Sequence, residues 1–306
     1  MALKTRRQRT SDGGHGASRK TKQVRKQTKR KQVSALAAGA KMSSSKAAAS
    51  RKPPASWKAD YPLIEELRSH CDAPVDTVGC ERLANPRAKK ADYEWQCLVA
   101  AMLSAMTKDQ MTAETMVKLQ VYGNSISHIA ATPVRKLDRL IAKVGFHATK
   151  AKNIRATAQL CLLQHGGRVP RTLEELLALP GVGPKMAHLT LHAAFGTQEG
   201  LCVDTHVHRI ANALGWVTTR DPEQTRVALE AWLPHKHWAD INVHLVGLGQ
   251  LQQQEPHKLV ERCLEGKASA AALQLLARIG LPLRRGKYPR LDKAAEKNPA
   301  IRKLLV

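Results

Sequence analysis

Apolar residues recur along most of this chain at steps of three and four positions, the spacing of one face of an α-helix. Residues 93–106 show this period, with Trp95, Leu98, Val99 and Met102 on one face. Glycine or proline separates most of these segments, as is typical of helix ends. No convincing run alternates apolar and polar residues in the manner of a half-buried strand. The pattern predicts an all-α globular part built from about ten short helices.

The first part of the chain lacks this period. Residues 1–58 contain 17 Lys/Arg against one acidic residue, Asp12, and Ser, Thr, Gly and Ala fill most of the remainder. Such a segment buries too little apolar surface to offset the entropy of ordering, which predicts a disordered basic tail. Its basic run, residues 19–31, has no apolar face and favours nuclear import, whereas the acid-poor composition leaves a mitochondrial presequence open. A nonspecific DNA arm and a solubilising tail are the other two roles.

The charge of the whole chain predicts a polyanionic partner. The 306 residues include 50 Lys/Arg and 25 Asp/Glu, for a formal net charge of +25. Nucleic acid is the foremost candidate, with an acidic protein or an anionic membrane as alternatives. No stretch approaches the roughly 20 apolar residues that span a bilayer. Six cysteines without a CxxC pair indicate reduced thiols of an intracellular protein, which we expect in the nucleus, with the mitochondrion as a second compartment.

One short motif, LPGVGPKMA at residues 179–187, interrupts the helical pattern. The motif joins two helical segments, so it predicts a hairpin between them. Gly181 and Gly183 are expected to adopt backbone angles closed to other residues, and Pro184 suits the first turn of a helix. The N–H groups of such a hairpin, that of Val182 included, would face a phosphate without reading base sequence. A plain connection between helices is the alternative.

A second motif follows about twenty residues later. In residues 201–216, Asp204 comes after an apolar run and immediately before a helical segment. An aspartate there is expected to cap the helix. Because a helix N-terminus keeps a carboxylate ionised, Asp204 could also stabilise a developing cation or transfer a proton.

These motifs together resemble the endonuclease III family, the bifunctional DNA glycosylase/AP lyases of the helix–hairpin–helix glycosylase superfamily. Lys185 in the hairpin and Asp204 stand in the family's order and spacing with LSAMTKDQ at 103–110 and VGFHATKAKNI at 144–154. The resemblance covers roughly residues 60–255. A lysine at position 185 points to the lyase branch of the superfamily.

The resemblance implies a two-part architecture. Residues 87–197 would form a six-helix barrel that contains the helix–hairpin–helix at 173–196. A flanking helical domain would be built from residues 59–86 and 198–285, with DNA in the cleft between it and the barrel. Residues 286–306 would form a basic C-terminal extension.

The resemblance also implies a reaction. Lys185 would be the nucleophile and Asp204 the catalytic carboxylate, acting on a damaged pyrimidine flipped out of duplex DNA by a monomer. A neutral amine can attack the sugar C1′ and form a Schiff base, after which β-elimination cuts the strand. Because a free lysine is protonated at neutral pH, burial or the helix end is expected to lower the pKa of Lys185. The alternatives are a helix–hairpin–helix glycosylase with another lesion specificity and a non-enzymatic DNA-binding protein.

The same resemblance implies a set of DNA contacts. Family members commonly carry glutamine at the position of Met106, which probes the space left by the flipped base; a core role is the alternative. Asp109 could equally cap the helix that follows it. His147 lies where the family loop wedges into the minor groove, and an exposed turn is the alternative. The full predicted set is Gly181, Val182, Gly183, Pro184, Met106, Lys108, Asp109, His147, Lys150 and His206.

The chain departs from the family at its cofactor. Most relatives follow GxGQ with four cysteines that hold a [4Fe–4S] cluster, whereas residues 247–266 contain only Cys263. The cluster is therefore predicted to be absent, with a helix over residues 268–280 packing in its place. His188 and His192 have the spacing of a metal pair, but no carboxylate or cysteine completes a ligand set, so no metal is predicted.

Overall fold

A computed structural model describes residues 52–267 and 269–306 of the chain. Within them the chain forms sixteen α-helices and two short 3-10 helices, with no β-strand, which confirms the all-α prediction. None of the helices in this part of the chain combines the length and apolar character needed to cross a membrane. Residues 1–51 of the predicted basic tail lie outside the described residues. Trp57, close to the predicted end of the tail at residue 58, is buried and begins the first helix.

The helices fall before and after the hairpin. Before it lie α1 (Trp57–Arg68), α2 (Pro74–Val78), α3 (Lys90–Ser104), α4 (Asp109–Tyr122), α5 (Ile126–Ala131), α6 (Val134–Leu140), α7 (His147–Gln164) and α8 (Leu173–Ala178). After it lie α9 (Pro184–Phe195), α10 (Thr205–Ala213), α11 (Pro222–Glu230), α12 (Trp238–Gln254), α13 (Pro256–Glu265), α14 (Ser269–Arg278), α15 (Pro289–Lys297) and α16 (Pro299–Arg302).

The helices enclose two hydrophobic cores. Helices α3 to α9 surround one core, which has Trp95 and Leu137 at its centre. Helix α1 and helices α10 to α16 surround the other, which includes Ile64 and Leu245. Helix α1 thus packs in one core, helices α3 to α9 form the other, and helices α10 to α16 pack in the same core as α1. The predicted domain boundaries stay a prediction, although residues 286–306 do more than extend the chain, because Tyr288, Leu291 and Ile301 belong to the core of α1.

A buried carboxylate pairs with arginine at each core. Glu94 is fully buried and accepts from Arg168 and Arg171 at 2.9 and 3.0 Å. In the other core Arg68 donates to Asp76 at 2.6 Å. The Arg68 guanidinium crosses α12 at residue 247, where a Cβ would lie 2.3 Å from its nitrogen, so only glycine fits there. The first glycine of the GLGQ motif is therefore a packing requirement.

A buried histidine makes stability depend on pH. His188 on α9 is 5% exposed, and its Nδ1 has no hydrogen-bond partner among the described residues. Burial lowers the pKa of His188 to about 4, and Arg226 acts in the same direction. Because the unfolded chain protonates this ring at a higher pH, its contribution is complete above pH ~6.5 and is lost as pH falls through about 4.

We therefore expect the free energy of unfolding to fall by up to about 3 kcal/mol between pH 6.5 and pH 4 on account of this ring. Urea unfolding across that range measures the effect. The variant His188→Gln should show a flatter profile than the wild-type protein. Parallel profiles of unfolding free energy against pH in the two proteins would show that folding does not lower the pKa of His188.

Candidate active site

The hairpin between α8 and α9 has one glycine that its geometry requires. Gly181 has φ +76°, and a Cβ there would lie 2.3 Å from the side-chain nitrogen of Asn153 on α7. Gly183 differs from the prediction, since its φ of −106° is open to any residue and a Cβ there would meet nothing within 4 Å. Its missing side chain leaves open space beside the hairpin. Pro184 begins α9, as predicted.

Only part of the hairpin backbone is available to a ligand. Val182 is 8% exposed, its side chain belongs to the core of α3 to α9, and its N–H donates to the Leu179 carbonyl at 3.3 Å. This corrects the prediction that the Val182 N–H faces a phosphate, because that donor is already used inside the fold. The first turn of α9 leaves the N–H groups of Lys185 and Met186 without helical partners. These donors, at the positive end of the helix, suit an anion.

The N-terminal ends of two consecutive helices bring a lysine and a carboxylate together. Asp204 is the N-cap of α10, and its Oδ1 accepts from the Val207 N–H at 2.9 Å, which confirms the predicted cap. Its other oxygen, Oδ2, lies 3.8 Å from Nζ of Lys185, the second residue of α9. The Lys185 side chain is 41% exposed, so the amine remains accessible from solvent.

The charge state of Lys185 differs from the prediction. Burial lowers the pKa of Lys185, but Asp204, with smaller contributions from Cys202, Cys80 and Asp109, raises it above its ordinary value. The expectation of a lowered pKa is therefore wrong, because Asp204 and the other nearby groups together stabilise the ammonium more than burial penalises it. The free protein carries Lys185 as an ammonium, which must lose a proton before it can act as a nucleophile.

A second carboxylate, at the start of α4, acts on the same lysine. Asp109 is the first residue of α4, and its Oδ2 accepts from the Gln250 side-chain amide at 2.6 Å. The carbonyl oxygen of that amide accepts from the Val75 N–H at 2.9 Å, which fixes the amide's orientation. Desolvation raises the pKa of Asp109, and Asp204 acts in the same direction. Asp109 makes no side-chain cap at this helix, whose exposed N-cap residue is Lys108.

His206 lies half-buried on α10, next to the same charged groups. Its ring packs against α12 at Gly249, where a Cβ would lie 2.3 Å from Nδ1. Desolvation lowers the pKa of His206, and Arg209 and Lys185 add to that effect against the opposing charge of Asp204. His206 is therefore a neutral ring at pH 7. The structure thus brings four predicted site residues together. Asp109, Asp204 and His206 lie near the accessible amine of Lys185.

Much of the chain is similar to proteins of one DNA-repair superfamily. Residues 99–235 match the HhH-GPD superfamily of base excision DNA repair proteins. The chain is 42% identical over 224 residues to Endonuclease III-like protein 1 of Mus musculus, covering 72% of this chain and 75% of that protein. The chain belongs to the endonuclease III family. It is also 46% identical over 199 residues to the Bos taurus protein of the same name, covering 64% of this chain and 65% of that protein, just under two thirds of it.

Two solved structures share the fold. A non-covalent endonuclease III–DNA complex superposes with a TM-score of 0.59 at 25% identity, covering 74% of this chain and 97% of that one. A trapped endonuclease III–DNA covalent intermediate gives a TM-score of 0.53 at 25% identity, covering 63% and 85% of the two chains. The helix–hairpin–helix glycosylase fold predicted from the sequence is therefore confirmed.

Two exposed apolar side chains lie on adjacent loops of this endonuclease III family member. Met106 is 80% exposed with φ +52°, so the alternative that it belongs to the core is wrong. Phe146 is 70% exposed with φ +56° and was not predicted. A Cβ on Gly145 would lie 2.4 Å from the Met106 carbonyl oxygen, so the two loops touch there. The available signal was a phenylalanine, one of two in the chain, directly after a glycine.

The other two predicted contacts of this region are engaged within the protein. His147 begins α7, and its Nδ1 lies 2.5 Å from Oδ1 of Asp138, so Phe146 is the side chain that projects from this loop. Lys150 is 8% exposed and donates to the Leu103 carbonyl at 2.6 Å and the Ala105 carbonyl at 2.5 Å. This placement does not fit the predicted DNA contact of Lys150, because its charge faces the interior.

The cysteines do not fit the iron–sulfur cluster of the family. A [4Fe–4S] cluster needs four thiolates at one place. Cys263 on α13 is 1% exposed, and burial raises its pKa to about 12, which keeps the thiol protonated. Leu259 and Leu273 pack in the same core, so α13 and α14 form an apolar layer here. Across residues 52–267 and 269–306, no group of three or more His, Cys, Asp or Glu side chains could hold a metal. Absence of the cluster stays a prediction that an iron assay can check.

Proposed function

We propose that this protein is a bifunctional DNA glycosylase/AP lyase that removes oxidised pyrimidines from duplex DNA and then cuts the strand. The observation that carries the proposal is the pair formed by Lys185 and Asp204, 3.8 Å apart at the ends of two helices. An accessible amine beside a carboxylate, next to a hairpin suited to phosphate, is what covalent chemistry at a deoxyribose requires. The trapped covalent complex of an endonuclease III supports the same chemistry.

The reaction starts with loss of one proton from the Lys185 ammonium to water, and the departing base later takes up one proton from water. The neutral amine attacks C1′ of the flipped nucleotide, and the base leaves with the electron pair of the glycosidic bond. Opening of the sugar ring gives a protonated Schiff base at C1′, which acidifies the C2′ proton. Loss of that proton breaks the C3′–O bond, the downstream strand leaves with a 5′-phosphate, and water then hydrolyses the Schiff base and frees the lysine. The Asp204 charge stabilises the cationic states along this path.

The hairpin and the first turn of α9 hold the strand beside the amine. Backbone N–H groups at this helix end bind a phosphate without reading a base, so the site can act at any sequence. The opened base pair would be occupied by the exposed side chains of Met106 and Phe146. We infer that a monomer binds duplex DNA that contains damaged pyrimidines or abasic sites.

The variant Phe146→Ala tests this placement of the loop. Loss of one stacking contact should weaken binding to a lesion-containing duplex by about tenfold, with little change on undamaged DNA. Val121→Ala removes another exposed apolar side chain, on α4, and should leave both affinities unchanged. Fluorescence anisotropy with the two duplexes measures the difference. Equal losses on both duplexes would mean that Phe146 does not enter the opened pair.

A panel of single-lesion duplexes tests the substrate class. We expect excision of oxidised pyrimidines and incision at abasic sites, each with an intermediate that borohydride traps. Preferred excision of oxidised purines would support the alternative of another lesion specificity. Binding with neither excision nor trapping would support a non-enzymatic DNA-binding protein.

We propose that the protein acts in the nucleus, with the mitochondrion as a second compartment, and that it needs no cofactor. The 17 Lys/Arg of residues 1–58 support a role in import or in nonspecific attraction to phosphates. These two roles differ in the salt dependence of DNA binding, which truncation of the tail would reduce only if the tail contacts DNA.

A further inference from the structure

One buried lysine lies where the two exposed loops meet. The recognition loops, residues 104–108 and 144–147, carry Met106 and Phe146. Lys150, in the first turn of α7, sends its side chain between them, and its Nζ donates to the Thr107 hydroxyl at 3.0 Å. Together with the carbonyls of Leu103 and Ala105, this gives three oxygen acceptors for the three protons of one ammonium.

The ammonium is the charged donor at the end of α3, where the hydroxyls of Ser104 and Thr107 also donate to carbonyls. The carbonyls of Leu103 and Ala105 lie at the end of α3, where the helix dipole is negative and helical hydrogen bonds run out. Desolvation lowers the pKa of Lys150 to about 8, so most molecules carry the charge at pH 7. Without this ammonium the buried Leu103 carbonyl and the half-buried Ala105 carbonyl would lose their charged donor.

The Thr107 hydroxyl connects the two loops. Its Oγ1 accepts from Lys150 and also from the Gly145 N–H at 3.1 Å, and it donates to the Ala105 carbonyl at 3.2 Å. Both loops have a non-glycine residue at positive φ, Met106 and Phe146, a conformation that costs free energy and persists only where surrounding contacts impose it. The lysine, the threonine and the close approach at Gly145 are those contacts.

We propose that Lys150 is a positioning residue that holds the two recognition loops in register, so that Met106 and Phe146 enter one opened base pair together. The proposal rests on the proposed function. It assigns Lys150 no contact with DNA. The same helix continues to Asn153, which packs against Gly181 of the hairpin, so the register of the loops is tied to the phosphate site.

The variant Lys150→Met tests the proposal, because methionine keeps the unbranched shape of the lysine side chain and removes the charge and all three hydrogen-bond donors. Lys152→Met is the matched control, since Lys152 is exposed on the same helix. In the free protein, amide exchange of residues 104–108 and 144–147 should accelerate in Lys150→Met and not in the control. The preference for a lesion-containing duplex over undamaged DNA should fall by about tenfold, the worth of one stacking contact.

The salt dependence of binding separates this role from a phosphate contact. Lys150→Met should keep the wild-type slope of log K against log salt, whereas loss of a phosphate contact would reduce the slope by about 0.9. A reduced slope with unchanged loop exchange would overturn the proposal.

If Lys150→Met does not fold, Thr107→Val provides the second test, because it removes the shared hydroxyl and keeps the shape. Accelerated exchange in both loops together with lost lesion preference supports the proposal, and wild-type behaviour in Thr107→Val overturns it. Neither result depends on catalysis. If instead the wild-type protein forms no trapped intermediate, the proposed function fails, whatever the loops do.

Discussion

Lys185→Gln is expected to bind damaged duplex DNA with near wild-type affinity but to form no borohydride-reducible adduct and to cut no strand. Glutamine has no nucleophilic amine, so the covalent step is lost, with strand cleavage reduced by at least about 10³-fold. The side chain is 41% exposed and its ion-pair partner is Asp204, so the variant should fold. Gel separation of trapped and cleaved products measures both losses.

Lys185→Arg is the informative companion variant. Arginine keeps a positive charge beside Asp204 and the phosphate, yet its guanidinium stays protonated and forms no Schiff base. If Lys185 only contacted phosphate, arginine would preserve activity. Lys108→Arg is the matched control at an exposed lysine near the site, and it should trap and cleave like the wild-type protein. A trappable, cleaving Lys185→Arg would assign the nucleophile to another amine.

Asp204→Asn is expected to lose base excision while it retains trapping at a preformed abasic site. Asparagine caps a helix about as well as aspartate, so the hydrogen bond to the Val207 N–H and the fold should persist. The negative charge 3.8 Å from the Lys185 amine is lost, and with it the stabilisation of cationic states during departure of the base. Single-turnover excision should slow by about 10²-fold or more.

A neighbouring helix supplies the control for this variant. Asp221 is also an N-cap, and its Oδ1 accepts from the Gln224 N–H at 2.8 Å. Asp221→Asn makes the same chemical change away from the lysine and should leave excision at the wild-type rate. Equal excision by Asp204→Asn and the wild-type protein would restrict Asp204 to its structural role as a cap.

Features set by local chemistry could be predicted from the sequence. The three- and four-residue spacing of apolar residues predicts the helices. Pro184 and Asp204 predict helix starts, because proline at the first turn and an aspartate cap act within one turn of the helix. The pairing of Lys185 with Asp204 is not local. It was anticipated only through the family resemblance, and the distance of 3.8 Å came from the fold.

Features set by tertiary packing could not be predicted. The sequence around Lys150 is typical of an exposed lysine, yet its side chain is buried against the end of α3. The pKa of Lys185 depends on a balance between burial and charges on three other elements, which no single motif contains. Phe146 was missed because its exposure follows from a left-handed backbone at a loop held by residues far along the chain.

Peptide mapping shows directly whether the amine of Lys185 forms the covalent bond to the sugar. The wild-type protein would be incubated with an oxidised-pyrimidine duplex, reduced with borohydride, digested with protease and nuclease, and analysed by tandem mass spectrometry. We expect a reduced sugar adduct at Lys185, on the peptide that contains this residue. An adduct on another amine, such as Lys108 or the N-terminus, or no adduct in protein that excises the base, would contradict it.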